Sequence, residues 1–271
     1  PVSPAPPWLR LVARAMPRQR PVVARPVVLD LSALWAGPLA SHLLQRAGAR
    51  VIKVESTRRP DGARRGSAAF FDLLHAGKES VALDLASTAG RADLARLVAW
   101  ADIVIESARP RALAQLGIDA GALVTQRPGL TWIRITGYGC SGPAANWIGF
   151  GDDAATAAGL ATATGAMAGM DTPLFCADAI ADPLTGMHAA VAALAAYRRG
   201  GGVLLSLTLR DVAAHVLGFG PSTSAARVCA SHLAGAGATW DVIADGERQA
   251  VQPARARRPD AVARPLGADT E

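Results

Sequence analysis

Between residues 26 and 217 the chain alternates short apolar runs with longer stretches in which apolar residues recur at helical spacing. The short runs are rich in β-branched residues and predict strands at residues 27–31, 51–54, 81–85, 103–105 and 132–135. The longer stretches predict a helix over residues 38–47, ending at Gly48, and another over 89–101, capped by Thr88.

This alternation predicts an α/β fold, because a helix after each strand carries the chain back to start a parallel neighbour. We expect a doubly wound, mostly parallel sheet, as in Rossmann-like domains. Ligands bind such sheets beyond the carboxyl ends of the strands. The segments that follow the strands are therefore the places to look for a site: residues 32–38, 55–65, 106–111 and 136–143.

After the fifth predicted strand the pattern changes. Residues 154–170 are almost entirely Ala, Gly, Thr and Met, a composition that permits close backbone packing. Four further elements are predicted: a helix at 183–198, a strand at 203–209, a helix at 211–217 and a strand at 240–243.

The elements suggest a division into three parts. We expect a poorly ordered N-terminal arm at residues 1–25 and a large domain at 26–217. A reduced second segment with a C-terminal tail is expected at 218–271. The first residue is Pro1 and not Met, which leaves open either processing or a piece of a longer chain.

Composition narrows the class of protein. With 271 residues, of which 51% are hydrophobic, the chain can bury one large core. No apolar run reaches the length of a membrane span, and the first 26 residues contain no uninterrupted apolar block of the kind found in secretory signals. The cysteines Cys140, Cys176 and Cys229 match no metal-binding spacing. We expect free thiols in the reducing cytoplasm and no bound metal.

The chain is basic, with a net charge of +6 from 28 basic and 22 acidic residues. Arginine binds phosphate groups bidentately, which favours an anionic ligand. Nucleic acid is the other common partner of a basic chain. However, much of the basic excess lies in the two ends, and aromatic residues, at 5%, provide no stacking platform. We therefore expect neither nucleic acid nor a membrane as partner.

The first turn between strand and helix, LSALWAGP at residues 31–38, contains a single glycine. A dinucleotide-binding turn has the pattern GxGxxG, which lets the backbone approach a pyrophosphate. Glu55, at the end of the second strand, lies where a ribose-binding acid would be, but one Glu is a weak signal. The missing glycines argue against a nucleotide-dependent oxidoreductase, which stays the weaker alternative.

Several segments resemble class III CoA-transferases, the family of formyl-CoA transferase, carnitine CoA-transferase and α-methylacyl-CoA racemase. They occur in the family's order with similar spacing: LDLSALWAGPLASHLLQRAGARVIKVE (29–55), LLHAGKESVALDL (73–85), ADIVIESARPRALAQLG (101–117), ITGYGCSGP (135–143), ADPLTGMHAAVAALAA (181–196) and LSLTLRDV (205–212). The resemblance covers roughly residues 26–217. It implies that coenzyme A is handled as a substrate, together with a small carboxylic acid. It also implies an interlocked homodimer or a pairing with a related chain.

The family's nucleophile is an Asp just before a TGMH-like segment, which the resemblance places at Asp182 in ADPLTGMH. Its carboxylate would attack an acyl-CoA thioester to form a mixed anhydride. The released CoA would convert this into an aspartyl-CoA thioester, from which a second carboxylic acid collects the CoA. Taken alone, an Asp before Pro183 at a helix start is more typical of an N-cap. The resemblance favours catalysis, and the two roles can coexist.

The resemblance implies roles for further residues. Tyr138 lies where the family has a Tyr close to the thioester, although a half-buried core tyrosine fits the sequence equally well. CoA is expected to contact the first turn and several basic loop residues: Trp35, Ala36, Gly37, Pro38, Arg58, Arg59, Lys78, Arg109 and Arg111. For each basic residue, a solvated surface charge is the alternative.

Some positions depart from the family. Phe150 and Gly151 stand where the racemases have His and Asp, so racemisation with two bases is not expected. Trp35 replaces a Gln of formyl-CoA transferase, which indicates a different acyl group, and Ser56 replaces an Arg for which Arg58 or Arg59 can substitute. Because the family's small domain is reduced here, a catalytically degenerate partner of a complete transferase is the alternative to an acyl-CoA:carboxylate CoA-transferase.

Overall fold

The computed structural model describes residues 7–19, 25–219, 227–233, 238–244, 247–251 and 257–270. The strands are β1 (Arg10–Arg14), β2 (Val27–Leu31), β3 (Arg50–Ser56), β4 (Glu79–Leu83), β5 (Ile103–Glu106), β6 (Thr131–Thr136), β7 (Val203–Thr208), β8 (Arg227–Leu233), β9 (Ala238–Ala244) and β10 (Glu247–Val251). The helices are α1 (Ala36–Arg46), α2 (Ala68–His75), α3 (Thr88–Trp100), α4 (Pro110–Gln115), α5 (Ala120–Gln126), α6 (Gly151–Ala157), α7 (Leu160–Met167), α8 (Ala181–Arg198) and α9 (Leu209–Leu217). Short 3₁₀ helices cover Gly62–Arg65 and Pro143–Asn146.

The large sheet has the order β1-β7-β6-β5-β2-β3-β4. The strands β2 to β7 pair in parallel, and β1 joins the edge at β7 in the antiparallel direction. From β2 the chain winds outward through β3 and β4, then returns to β5 on the other side of β2 and winds outward through β6 and β7. The predicted doubly wound α/β fold is confirmed. Its switch point, where ligands bind in such sheets, lies between β2 and β5.

The core lies on both faces of this sheet, because successive residues of the central strands point to opposite sides. Val28 of β2 faces a cluster that includes residues of α1 and α8. Its neighbour Leu29 faces a second cluster, which includes residues of α3 and α5. Helices therefore cover both faces, as is expected for a sheet of buried parallel strands.

Small residues bring α1 and α8 into close contact. Ala36 and Ala40 of α1, and Ala189 and Ala193 of α8, are almost fully buried. A Cβ added at Gly186 of α8 would lie 2.7 Å from the carbonyl oxygen of Ala36, so a larger residue there would push the helices apart. This contact places the start of α8 beside the start of α1.

The prediction of a poorly ordered N-terminal arm is wrong for its described part. Arg10–Arg14 forms β1, and Trp8 packs edge-on against His188 of α8 with 4.9 Å between the ring centroids. Residues 1–6 and 20–24 lie outside the described residues. A smaller correction concerns α3, where Ser87 and not Thr88 is the N-cap, accepting a hydrogen bond from the Gly90 N–H at 2.9 Å.

Beyond α9, the described strands β8, β9 and β10 form a three-stranded antiparallel sheet that contains the strand predicted at 240–243. In the segment 257–270, the Ala263 N–H donates to Asp72 of α2 at 2.9 Å. Its end runs along β4, where the Asp269 N–H donates to the Ser80 carbonyl oxygen at 2.8 Å. The Ala82 N–H donates to the Thr270 hydroxyl at 3.0 Å. In the part of the chain that the structure describes, no helix has the length and apolar character needed to cross a membrane.

Candidate functional site

Asp182 lies in the first turn of α8, beside the switch point of the sheet. Its carboxylate accepts hydrogen bonds from the backbone N–H groups of Gly151 and Ala36. These two residues begin α6 and α1. The interpretation of Asp182 as the N-cap of α8 is wrong, since Ile180 occupies that position and no side chain caps the helix. The carboxylate instead joins the starts of two other helices.

Glycine at position 151 permits this arrangement. A Cβ added there would lie 2.5 Å from Oδ2 of Asp182 and 2.2 Å from the Ala179 carbonyl oxygen. Ala179 has a left-handed backbone with φ of 44°, and the Asp152 carboxylate accepts its N–H at 2.9 Å. The segment that leads into α8 is thus held tightly against the start of α6.

We expect Gly151→Ala to destabilise the fold by about 1–3 kcal/mol, as other overpacked substitutions do. It also displaces a hydrogen-bond donor from the carboxylate of Asp182. Thermal unfolding measures the first effect. Gly62→Ala is the control, because a Cβ added at Gly62 has its nearest neighbour at 3.5 Å, an ordinary contact. Equal unfolding midpoints for the two variants would contradict this description of the helix start.

The environment of Asp182 makes its carboxylate more basic than usual. Burial raises the pKa to about 6, and the two backbone donors oppose this rise. Asp152 and Asp178 raise the pKa further through their negative charges. A carboxylate with a pKa near 6 is mostly ionised at neutral pH, and it is a stronger nucleophile than an ordinary aspartate.

The raised pKa predicts a pH-dependent cost to stability. The pKa in the folded chain lies above the ordinary value of 3.8, so the folded state binds this proton more tightly than the unfolded state. The proton bound to Asp182 therefore stabilises the folded state fully at pH values below 3.8, the ordinary pKa of an aspartate. This stabilisation is lost as the pH rises through about 6. We expect Asp182→Asn to unfold at a higher temperature than the wild type at pH 8, with the difference shrinking towards pH 4. A difference that stays constant across this range would rule out the raised pKa.

Tyr138, in the loop after β6, is half-buried and lines a cavity of about 560 Å³. Its ring packs edge-on against Trp147 with 5.9 Å between the centroids, and burial raises the pKa of its hydroxyl. A Cβ added at Gly149 would lie 2.7 Å from the Tyr138 ring, so this glycine allows the ring to pack against the segment that enters α6. The other residues that line the cavity are Asp153, Thr156, Ala157, Ala161, Pro173 and Phe175.

Lys78 does not lie where a ligand could reach it. Its side chain is 1% exposed and its ammonium pairs with Asp30 at 3.0 Å. It also donates to the Pro38 carbonyl oxygen at 3.0 Å and to the Ser41 hydroxyl at 2.7 Å. Burial lowers its pKa to about 8, against the attraction of Asp30. The prediction that Lys78 contacts CoA conflicts with this burial, and the ammonium holds the first turn of α1 instead.

The first turn of α1 approaches Asp182 through the backbone of Ala36. Ala36, Gly37 and Pro38 are buried in the first turn of α1, and a Cβ added at Gly37 would lie 2.2 Å from Ser32. Trp35 is half-buried and packs edge-on against Phe70 with 5.1 Å between the ring centroids.

The predicted basic residues follow the carboxyl ends of β3 and β5. Arg58 and Arg59 are exposed after β3, where Arg58 forms an ion pair with Asp84 at 3.1 Å. Arg109 is exposed at the start of α4, and Arg111 belongs to α4. Both loops flank the turn after β2, because β3 and β5 are the neighbours of β2 in the sheet. Their positions are compatible with an anionic ligand lying across the switch point.

Two charged residues beneath the first turn were missed by the sequence analysis. Lys53 of β3 and Asp61 form a buried ion pair at 2.9 Å, and Asp61 accepts the N–H of Leu34 at 3.0 Å. A signal was present, because a lysine inside the apolar strand VIKVE needs a buried partner.

Among the described residues, no group of three or more His, Cys, Asp and Glu side chains is arranged to hold a metal ion. The described site offers instead a carboxylate, two backbone donors, a tyrosine beside a cavity and a set of exposed guanidinium groups.

Comparison with known proteins shows similarity over most of the chain. The model of CoA-transferase family III matches residues 26–231. A succinate–glutarate CoA-transferase of Agrobacterium fabrum is 33% identical over an alignment 219 positions long, which covers 74% of this chain and 54% of that protein. A probable fatty acyl-CoA transferase of Mycobacterium tuberculosis is 35% identical over an alignment 173 positions long, which covers 58% of this chain and 41% of that protein.

The fold of this chain is also similar to solved structures. A crystal structure of a hypothetical protein from Mycobacterium tuberculosis superposes with a TM-score of 0.67 at 29% identity, covering 86% of this chain and 66% of that one. The chain spans about half the length of the curated relatives that it matches.

Proposed function

This chain belongs to CoA-transferase family III, and we propose that it moves CoA from an acyl-CoA thioester to a free carboxylic acid, with Asp182 as the nucleophile. The carboxylate in the first turn of α8, which accepts the N–H groups of Gly151 and Ala36, carries this proposal. The relatives reported above are named as transferases, so a non-catalytic partner role gains no support from them.

The proposed reaction proceeds through two kinds of covalent intermediate. The Asp182 carboxylate attacks the thioester carbonyl, which forms a mixed anhydride and releases CoA thiolate. The thiolate then attacks the aspartyl carbonyl, which forms aspartyl-CoA and releases the first acid as a carboxylate. The acceptor carboxylate repeats these steps in reverse, which yields the new acyl-CoA and restores Asp182. Each step exchanges one acyl bond for another, so no oxidant or external proton is needed.

The two backbone donors fit this sequence of steps. When thiolate attacks the aspartyl carbonyl, negative charge develops on an oxygen of Asp182. The N–H groups of Gly151 and Ala36 already point at this carboxylate, so they can stabilise the charge without reorganising. In this proposal Tyr138 lies near the thioester carbonyl.

CoA is proposed to lie across the carboxyl ends of β2, β3 and β5. Its pantetheine arm would pass the turn formed by Trp35, Ala36, Gly37 and Pro38. Its phosphates would meet the guanidinium groups that follow the neighbouring strands: Arg58, Arg59, Arg109 and Arg111. Lys78 is left out, because its ammonium is buried. A homodimer or a pairing with a related chain, and a cytoplasmic location, belong to the same proposal.

The acyl group is proposed to be largely uncharged. The cavity beside Tyr138 is lined by apolar residues together with Asp153 and Thr156, and none of the described residues that line it is a cation that could pair with a second carboxylate. One relative is named as a probable fatty acyl-CoA transferase, whereas another is named for succinate and glutarate.

A transfer assay tests the proposal. The chain is incubated with dodecanoyl-CoA or succinyl-CoA and a labelled free acid, and the new acyl-CoA is separated by chromatography. We expect exchange with the dodecanoyl donor to exceed exchange with the succinyl donor. Exchange confined to succinyl-CoA would refute the uncharged acyl group, and no exchange with either donor would count against transferase activity.

A further inference from the structure

The turn that presents the N–H of Ala36 is held by buried charges that the proposed reaction does not use. Leu34, two residues before Ala36, has φ of 70°, in the left-handed region. This conformation is unfavourable for a residue with a Cβ. Such a residue keeps it only where the surrounding structure holds it there.

Asp61 supplies that support. Its carboxylate oxygens accept the Leu34 N–H at 3.0 and 3.3 Å, and its side chain is 1% exposed. Lys53 pairs with Asp61 at 2.9 Å and donates to the Ser32 carbonyl oxygen at 2.6 Å. The pair thus holds the turn at two points, both shortly before the first residue of α1.

Asp61 is itself held in place by contacts with β3 and with the 3₁₀ helix that follows it. Its N–H donates to Glu55 of β3 at 2.8 Å, and Glu55 is bound through both oxygens by Arg64, with the shortest contact at 2.6 Å. The Asp61 carboxylate also accepts the Ala63 N–H at 3.0 Å, which begins the 3₁₀ helix. Contacts therefore run without a break from the sheet to the turn.

We propose that Asp61 is a positioning residue for the nucleophile: by holding Leu34 in its left-handed conformation, it directs the N–H of Ala36 at the Asp182 carboxylate. The inference rests on the proposed role of Asp182. Asp61 does not touch the reacting atoms and acts through the backbone. Its loss leaves Asp182 in place but weakens one of the two donors that stabilise negative charge on the carboxylate.

A matched pair of double variants tests this role. Lys53→Met combined with Asp61→Asn removes the buried ion pair but keeps an oxygen that can accept the Leu34 N–H. Lys53→Met combined with Asp61→Ala removes the ion pair and the acceptor together. The two variants differ in the side-chain acceptor at position 61, which serves the N–H groups of Leu34 and Ala63, whereas both lack the ion pair and share the loss of stability that its removal causes.

Two readouts are compared. The first is the pKa of Asp182, measured by carbon-13 NMR titration of its carboxyl group and assigned with Asp182→Asn. We expect a higher pKa in the Ala variant than in the Asn variant, because a lost donor disfavours the charged form. The second is the exchange rate with dodecanoyl-CoA, for which we expect kcat roughly 10- to 100-fold lower in the Ala variant at unchanged KM.

Equal pKa values in the two variants would overturn the positioning role, whatever the wild-type activity. Absence of exchange in the wild type, with the expected pKa difference present, would overturn the proposed function and leave the positioning role standing. If the Ala variant does not fold, Asp61→Glu replaces it, since this change keeps the charge but moves the acceptor. A wild-type pKa of Asp182 in Asp61→Glu would then overturn the inference.

Discussion

Replacing Asp182 with asparagine is expected to lower the rate of CoA exchange by roughly 10⁴-fold or more, because the reaction loses its covalent intermediate. The amide has nearly the same shape, and its oxygen can still accept the N–H groups of Gly151 and Ala36. The loss should therefore appear in kcat, while CoA binding stays close to that of the wild type. Steady-state exchange kinetics and calorimetric titration with CoA measure the two effects separately.

Asp152→Asn serves as the control for Asp182→Asn. Asp152 lies close enough to raise the pKa of Asp182 through its charge, and its carboxylate accepts the Ala179 N–H at 2.9 Å, a bond that the asparagine oxygen can keep. We expect it to retain most of the exchange activity. If Asp182→Asn exchanged CoA at the wild-type rate, Asp182 could not be the nucleophile.

Replacing Lys78 with methionine is expected to destabilise the fold by about 3–5 kcal/mol, because it leaves the charge of Asp30 buried and unpaired. Both side chains are almost completely buried, and the ammonium joins Asp30 to the first turn of α1. Burial alone would raise the pKa of Asp30, but the charges of Lys78 and Lys53 outweigh it and hold the pKa well below its ordinary value. Denaturant unfolding at neutral pH measures the loss.

Two comparisons isolate the buried pair. Arg96→Met breaks an exposed ion pair with Asp93, and we expect it to cost less than about 1 kcal/mol. Combining Lys78→Met with Asp30→Asn removes both charges and should recover part of the lost stability. If Lys78→Met proved as mild as Arg96→Met, Lys78 would have to be solvated, and its predicted contact with CoA would regain support.

The sequence pattern predicted most of the parallel sheet, because the apolar runs along the chain match the burial of these strands in the fold. The strands β2, β3, β5 and β6 and the helix α8 lie close to their predicted positions, since strands buried on both faces appear as continuous apolar runs. Other elements were not predicted. The sequence pattern predicted no element where the helix α2 lies. The strand β1 begins and ends with exposed arginines, Arg10 and Arg14, and its apolar residues Leu11 and Val12 are also exposed, so it lacks the alternating pattern of a half-buried strand.

The choice of Asp182 as the proposed nucleophile comes from the resemblance, whereas the environment of its carboxylate was not predicted. An Asp before a Pro satisfies the ordinary rule for an N-cap, and only tertiary contacts place its carboxylate against α1 and α6. The burial of Lys78 was missed for a similar reason. Lys78 precedes a strand in a polar stretch, and its partner Asp30 is 48 residues away in the sequence. Charged residues that pair across such distances leave no local pattern.

The central claim is that the side chain of Asp182 becomes covalently bound to CoA. The direct measurement is to mix the chain with dodecanoyl-CoA, quench with borohydride and examine the peptide that contains residue 182 by mass spectrometry. Borohydride reduces an aspartyl thioester to the corresponding alcohol, so we predict conversion of Asp182 to homoserine that depends on the acyl-CoA. An unmodified Asp182 in a sample that is exchanging CoA would contradict the account.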